Sequence, residues 1–322
     1  MNKVALVVST HNGTDKLIQI SEWIANQLPW RGPFIVIASG NTESSRLTDA
    51  CSSQGIDLIF KQFLNCGLAK RNLGAEIAKN LGSNYVTFLN DYQFIKPNAL
   101  YEFELENHNE DIVFGNVEFE KSKDIVRPRI SAVQVPLSKD SSNREIWSLF
   151  SSVSESGMLI KSETFSNLHG WQYPIFRGKA FLGGDGMLLA ARVFTSQGTF
   201  GYSKSYAVLG GHRNVEISQE IARSRGAAYP YAFTLSTKLK HLPRWISLRF
   251  IFGRIARLLQ SGLRMNFQEF KASIPEIEAR IRGYLGLKPS KDSILLDEVF
   301  EFNCQSSQNY CAKQDATKCT YK

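Results

Sequence analysis

Three short polar turns carry side chains able to do chemistry, and each directly follows an apolar run. His11-Asn12-Gly13 follows VALVV, Ser39-Gly40-Asn41 follows FIVIA, and Asn90-Asp91-Tyr92 follows YVTFL. Asp91 is the carboxylate among these turns. Ordinary strand-to-helix turns use the same residue types, so a purely structural reading of each turn stays open. Asp185 stands in the glycine-flanked loop LGGDG at the start of a helical pattern, where capping is a common role for aspartate. His212 follows Gly210-Gly211 at a strand end and suits a metal, a phosphate or a structural role.

These turns need elements to hold them. VALVV (4–8) is a continuous apolar run, as expected of a strand covered on both faces of a parallel sheet. Thr14 and Asp15 can cap a helix through about Gln27, with Leu17, Ile18, Trp23, Ile24 and Leu28 on its buried side. Further strands fit FIVIA (34–38), IDLIFK (56–61) and YVTFL (85–89), with helices to about Gln54 and over 67–80. The alternation predicts an α/β fold with a doubly wound, mostly parallel sheet. In such sheets ligands sit outside the carboxyl ends of the strands, which is where the three turns fall.

Later segments are less regular. DIVFGNV (111–117) predicts another strand, residues 120–150 a flexible polar insert, and Gly157–Ile160 a return to apolar order. FLGGDGMLLAARVFTSQG (181–198) reads as loop, helix and glycine stop, and GYSKSYAVL (201–209) as a strand. The last twenty residues lack apolar periodicity and read as a disordered polar tail.

Composition narrows the class. The 322 residues are 43% hydrophobic, enough to bury a large core. No uncharged apolar run reaches the eighteen or so residues of a spanning helix, and MNKVALVVSTHNG reads as a buried strand in place of a signal peptide. Cys51, Cys66, Cys304, Cys311 and Cys319 include no CxxC pair, and we expect reduced thiols in the cytoplasm.

The net charge is +8, and no acidic residue occurs from Ile221 to Gln268. That block attracts phosphate on lipid, nucleotide or nucleic acid. No nucleic-acid motif accompanies it, so a nucleic-acid partner is not expected. Within it, residues 246–263 place Leu248, Phe252, Ile255, Leu259 and Leu263 on one helical face and Arg249, Arg254, Arg257 and Gln260 on another. Such a helix either lies on an anionic membrane surface or packs on the catalytic domain.

The order of segments over roughly residues 4–215 resembles the family-2 inverting glycosyltransferases of the GT-A (nucleotide-diphospho-sugar transferase) fold. VALVVSTHNGTDKL looks like the family's opening strand and turn, and FIVIASGNTESS like its second. NCGLAKRNLGAEIAK follows the pattern N-x-G-x-x-x-A-R-N-x-G-x-x-x-A, and FLNDYQFIKPNAL aligns without a gap to F-L-D-D-D-x-x-x-x-P-x-x-L. LGGDGMLLAARVFTSQG resembles the segment carrying the catalytic aspartate, and VLGGHR the terminal histidine.

The resemblance implies transfer of a sugar, with inversion, from a nucleotide-sugar donor to a glycan or lipid-linked acceptor in cell-surface polysaccharide synthesis. The chemistry needs a base for the acceptor hydroxyl and positive charge against the departing diphosphate. Asp185 matches the base. Thr10, Asn12, Ser39, Asn65, Gly67, Arg71, Asn72, Asn90 and Asp91 match donor-binding positions, with Lys70 nearby. Trp171 and Tyr173, in the loop before Asp185, offer aromatic faces to an acceptor sugar or to the core. Asp91 and, more weakly, His212 would meet a metal, Mg²⁺ or Mn²⁺; the alternative is a metal-free site in which arginine and lysine meet the diphosphate.

The chain departs from the pattern at four places. Ala38 and Ser39 replace acidic or amide residues, Tyr92 replaces the usual metal-binding carboxylate, and Gly184 replaces an acid before Asp185. A catalytically silent, sugar- or partner-binding relative of these enzymes is therefore the alternative. The expected organisation is a GT-A-like catalytic domain over 1–220, a basic helical extension over 221–300 and a disordered tail over 301–322. The expected location is cytoplasmic, peripheral at the inner membrane face.

Overall fold

Five consecutive apolar residues, Val4–Val8, leave no face for water, so their strand must be covered on both sides. All five are fully buried. The computed structural model describes residues 2–27, 30–63, 67–91, 93–119, 125–126, 141–150, 157–172, 175–176, 179–180, 185–210, 244–264, 267–285 and 287. Along the chain the elements are β1 (Val4–His11), α1 (Thr14–Ala25), β2 (Phe34–Ser39), α2 (Ser44–Ser53), β3 (Leu58–Gln62), α3 (Gly67–Asn80), β4 (Tyr85–Asn90) and β5 (Gln93–Ile95). There follow α4 (Ala99–Leu105), β6 (Ile112–Phe119), β7 (Ile125–Val126), α5 (Asn143–Phe150), β8 (Met158–Lys161), α6 (Ser162–Asn167), β9 (Ile175–Phe176) and β10 (Lys179–Ala180). The last are α7 (Asp185–Thr195), β11 (Phe200–Gly210), α8 (Arg244–Leu263) and α9 (Phe267–Leu285).

The chain divides into two compact units, Met1–Gln172 with Leu189–Val215 and Tyr173–Leu188 with Glu216–Lys322. The first unit is built on a sheet of order β3-β2-β1-β4-β8-β6-β11-β5, with β7 added beside β6. The expected parallel winding runs through β3-β2-β1-β4 and recurs between β6 and β11. β8 enters antiparallel between β4 and β6, and β5 antiparallel beside β11.

Alternation along the strands decides which helix covers which face. Val4, Leu6 and Val8 with Phe34, Val36 and Ala38 meet Leu17, Ile20 and Ile24 of α1, Leu47 and Cys51 of α2, and Leu100 and Phe103 of α4. On the other face α3 lies close to the sheet. A Cβ at Gly74 would stand 2.4 Å from Val7 Cγ1, so this approach requires glycine. That seating brings the first turns of α3 over the carboxyl ends of β1 and β2.

One expectation needs correction. The segment read as a flexible insert contains α5, whose Ile146, Leu149 and Phe150 are buried. Its signal lay in Ser142-Asn143-Arg144-Glu145, a capping box. The Glu145 carboxylate accepts the Ser142 N–H at 2.6 Å, and Ser142 Oγ accepts the Glu145 N–H at 3.4 Å.

In the second unit β9 and β10 form a short antiparallel pair, and α8 packs against α9. The Arg280 guanidinium lies 5.2 Å from the Phe250 ring centre. No helix among the described residues is long and apolar enough to cross a membrane. The free thiol of Cys51 is buried, and that burial pushes its pKa up to about 11. The other four cysteines lie outside the described residues.

Candidate functional site

The carboxyl ends of β1 and β4 are joined by side chains. Thr10, 2% exposed, donates its hydroxyl to Asp91 Oδ2 at 2.9 Å. Gly13 sits directly over this pair. A Cβ there would lie 2.1 Å from Thr10 Oγ1 and 3.2 Å from Asp91 Oδ2, so only glycine lets the turn close on them. The bond turns one carboxylate oxygen toward β1 and fixes the rotamer of the half-buried Asp91.

A buried cation joins β1 to β2. Lys70, 4% exposed, reaches inward from α3 and donates Nζ to Thr10 O at 2.7 Å and Ser39 Oγ at 2.9 Å. Burying an ammonium is costly unless its hydrogen bonds are made, and these two meet that need. Ser39 Oγ also lies 3.1 Å from His11 Nδ1. The sequence left Lys70 as a bystander. Its helical register with Gly67, Gly74 and Ala78, all small residues, was the available sign that it faces the sheet.

The β1 and β2 turns lock to each other. Asn12 adopts φ 54 and its Oδ1 accepts the Asn41 N–H at 2.6 Å. Gly40, with φ +71, makes room, because a Cβ there would stand 2.1 Å from Asn12 Oδ1. Asn12 and His11 remain exposed at the mouth.

Arg71 and Asn72 continue the site along α3. Arg71 donates to Asn90 Oδ1 at 3.1 Å and lies 5.4 Å from the Trp171 ring centre. Asn90 is oriented in turn by Gln93, whose Oε1 accepts its backbone N–H at 3.0 Å. Asn72 grips the Trp171 backbone in both directions, donating to its carbonyl at 3.0 Å and accepting its N–H at 2.8 Å.

The acceptor-stacking role for Trp171 does not fit. The residue is 1% exposed and its ring packs edge-on to Phe88 and Phe165, so it belongs to the core. Aromatic character in a polar loop does not by itself reveal burial.

Asp185 is the first residue of α7, so the helix of that reading is present; residues 181–184 lie outside the described residues. Asn65, Tyr173 and His212, with Tyr92 and Gly184, lie outside the described residues; Gly67 opens α3. Among the described residues no group of three or more His, Cys, Asp or Glu side chains is placed to hold a metal. Asp91 follows the end of β4, and one of its oxygens is engaged by Thr10. Asn90 Oδ1 is engaged by Arg71.

No protein-family model matches this sequence, and no curated protein matches it. Solved structures do. Residues 1–349 of S. aureus TarS give a TM-score of 0.55 at 9% identity, covering 91% of this chain and 98% of that one. The same fragment in complex with UDP-GlcNAc gives 0.53 at 11% identity, with coverages of 91% and 98%. Mannosyltransferase PcManGT from Pyrobaculum calidifontis, in complex with GDP-Man and Mn²⁺, gives 0.55 at 12% identity, covering 87% of this chain and 86% of that one. At these identities the likeness is one of fold, the GT-A type of mixed α/β sheet.

Proposed function

We propose that the chain is a nucleotide-sugar-dependent glycosyltransferase that transfers with inversion to a saccharide or lipid-linked acceptor in cell-surface glycan synthesis. The observation that carries it is the convergence of Thr10, Asp91, Lys70, Asn12 and Arg71 on the carboxyl ends of β1, β2 and β4. That is where open α/β sheets bind ligands. Solved structures of the same fold hold UDP-GlcNAc or GDP-Man, which supports a nucleotide sugar as the ligand.

In this proposal Asn12 and the β1 and β2 turns receive the nucleoside. Arg71 meets the diphosphate, whose departure it assists by countering the developing charge. Asp185 removes the acceptor proton as the hydroxyl attacks the anomeric carbon. The protein works in the cytoplasm, peripheral at the inner face of the membrane.

The internal engagement of Asp91 and Lys70 favours one other reading, a silent domain that binds sugar or a partner enzyme without turnover. Incubation with a panel of UDP- and GDP-sugars together with saccharide and lipid-linked acceptors, with and without Mn²⁺, separates the two. Release of nucleoside diphosphate together with a raised melting temperature supports the transferase, and a raised melting temperature without release supports the silent domain. Neither response, across the panel, would contradict both.

A further inference from the structure

The sequence assigned Leu248, Phe252, Ile255, Leu259 and Leu263 of α8 to one apolar face, and the fold leaves three of them uncovered. Ile246 and Ile251, outside that face, are buried, whereas Phe252 is 65% exposed, Leu259 63% and Leu263 87%. At 100° per residue these three share one side of the helix with the small Ala256. The half-buried Trp245 extends the row by two turns toward the amino end. Arg249, Arg257 and Arg264, all exposed, stand next to this row, about 60–140° around the helix from Phe252.

We propose that this face of α8 is a docking surface for an anionic lipid bilayer. The inference rests on the peripheral location proposed above and names the surface responsible. Large apolar side chains at such exposure are stable in water only at a cost, and three in one row form a patch that a partner covers. A row of Trp, Phe and Leu beside arginines matches the acyl boundary next to anionic headgroups.

A second copy of this chain fits less well. The exposed face carries three arginines within a stretch that has no acidic residue from Ile221 to Gln268, so two such faces would oppose like charges. A nucleic acid would use the arginines and leave the apolar row in water.

The test is flotation of the full-length protein with vesicles of equal parts phosphatidylglycerol and phosphatidylcholine, against vesicles of phosphatidylcholine alone. Binding is expected to the anionic vesicles at low salt, at least tenfold weaker to the neutral ones, and weakened by salt. Combined Arg249→Gln, Arg257→Gln and Arg264→Gln should weaken it by about fivefold per arginine. Combined Phe252→Ser, Leu259→Ser and Leu263→Ser should weaken it at least tenfold while leaving the melting temperature unchanged, because these side chains are already exposed.

Failure to bind at low salt overturns the proposal, as does equal binding to neutral vesicles. Loss with the arginine variant but not the serine variant would mark a general polyanion site and overturn it too. So would a dimer in sedimentation that only the serine variant dissolves. Nucleotide-sugar binding measured on the same preparations reports on the donor site independently, so failure of one leaves the other standing.

Discussion

His108 gives the fold a stability that depends on pH. It sits at the end of the sheet opposite the candidate site, between α4 and β6. One ring nitrogen lies 2.7 Å from Glu106 Oε2 and the other 3.1 Å from Glu110 Oε2, and the ring stacks on Phe103 at 5.0 Å. Burial alone would lower the imidazole pKa. The two carboxylate bonds outweigh it and push His108 up to about 9.

An unfolded histidine titrates near 6.5, and one pKa unit is about 1.4 kcal/mol, so the protonated ring contributes about 3 kcal/mol. The sign follows from the raised value. The contribution is complete below about pH 6.5 and is lost as pH rises through 9. Glu106 is the same contact viewed from the carboxylate. Burial raises it, but bonds from His108, Ser203 and Ser205 hold it down at about 2, so its share is complete above about 4.5 and is lost as pH falls from there through 2.

Urea unfolding at pH 6 and pH 9.5, followed by tryptophan fluorescence, measures the effect. The wild type should lose about 3 kcal/mol between the two, and His108→Gln should lose little. A gap between wild type and variant that stays constant with pH would refute the reasoning.

Other expectations concern the site. Asp185→Asn should abolish transfer while leaving donor affinity within a few-fold, since a base acts on the barrier and not on ground-state binding; near-normal turnover would remove Asp185 from the mechanism. Turnover should depend weakly on divalent metal, because Tyr92 follows Asp91 where a second carboxylate would serve. Complete loss in EDTA with rescue by Mn²⁺ would show a metal site that the described residues lack. Gly13→Ala should cost about 1–3 kcal/mol of stability and weaken donor binding about tenfold, because its Cβ must displace the Thr10–Asp91 bond. Unchanged values on both counts would mean that the turn yields more easily than its geometry suggests.

In the first half of the fold β1, β2 and β4 were legible because they are buried on both faces, so apolar runs mark them. The helix over 67–80 falls where it was expected. The antiparallel entry of β8 was not legible, since a four-residue apolar run states neither direction nor neighbour. Of the residues that the sequence proposed for the site, Thr10, Asn12, Ser39, Arg71, Asn90 and Asp91 lie together at the strand ends, joined by bonds that the sequence does not show. The sequence left Trp171 open between an acceptor sugar and the core, and its contacts with Phe88 and Phe165 place it in the core. It underrated Lys70, since a lysine on a helix is ordinarily solvated and only the closeness of α3 to the sheet turns this one inward.

The central claim is that the ends of β1, β2 and β4 receive a nucleotide sugar. Calorimetric titration of the full-length protein with UDP-GlcNAc and GDP-mannose, repeated with Arg71→Ala, tests it most directly. At least one donor should bind the wild type with a dissociation constant in the micromolar to millimolar range ordinary for enzyme substrates. Arg71→Ala should weaken that donor about tenfold, roughly one charge-assisted contact. Binding of neither donor, or binding that Arg71→Ala leaves unchanged, would contradict the account.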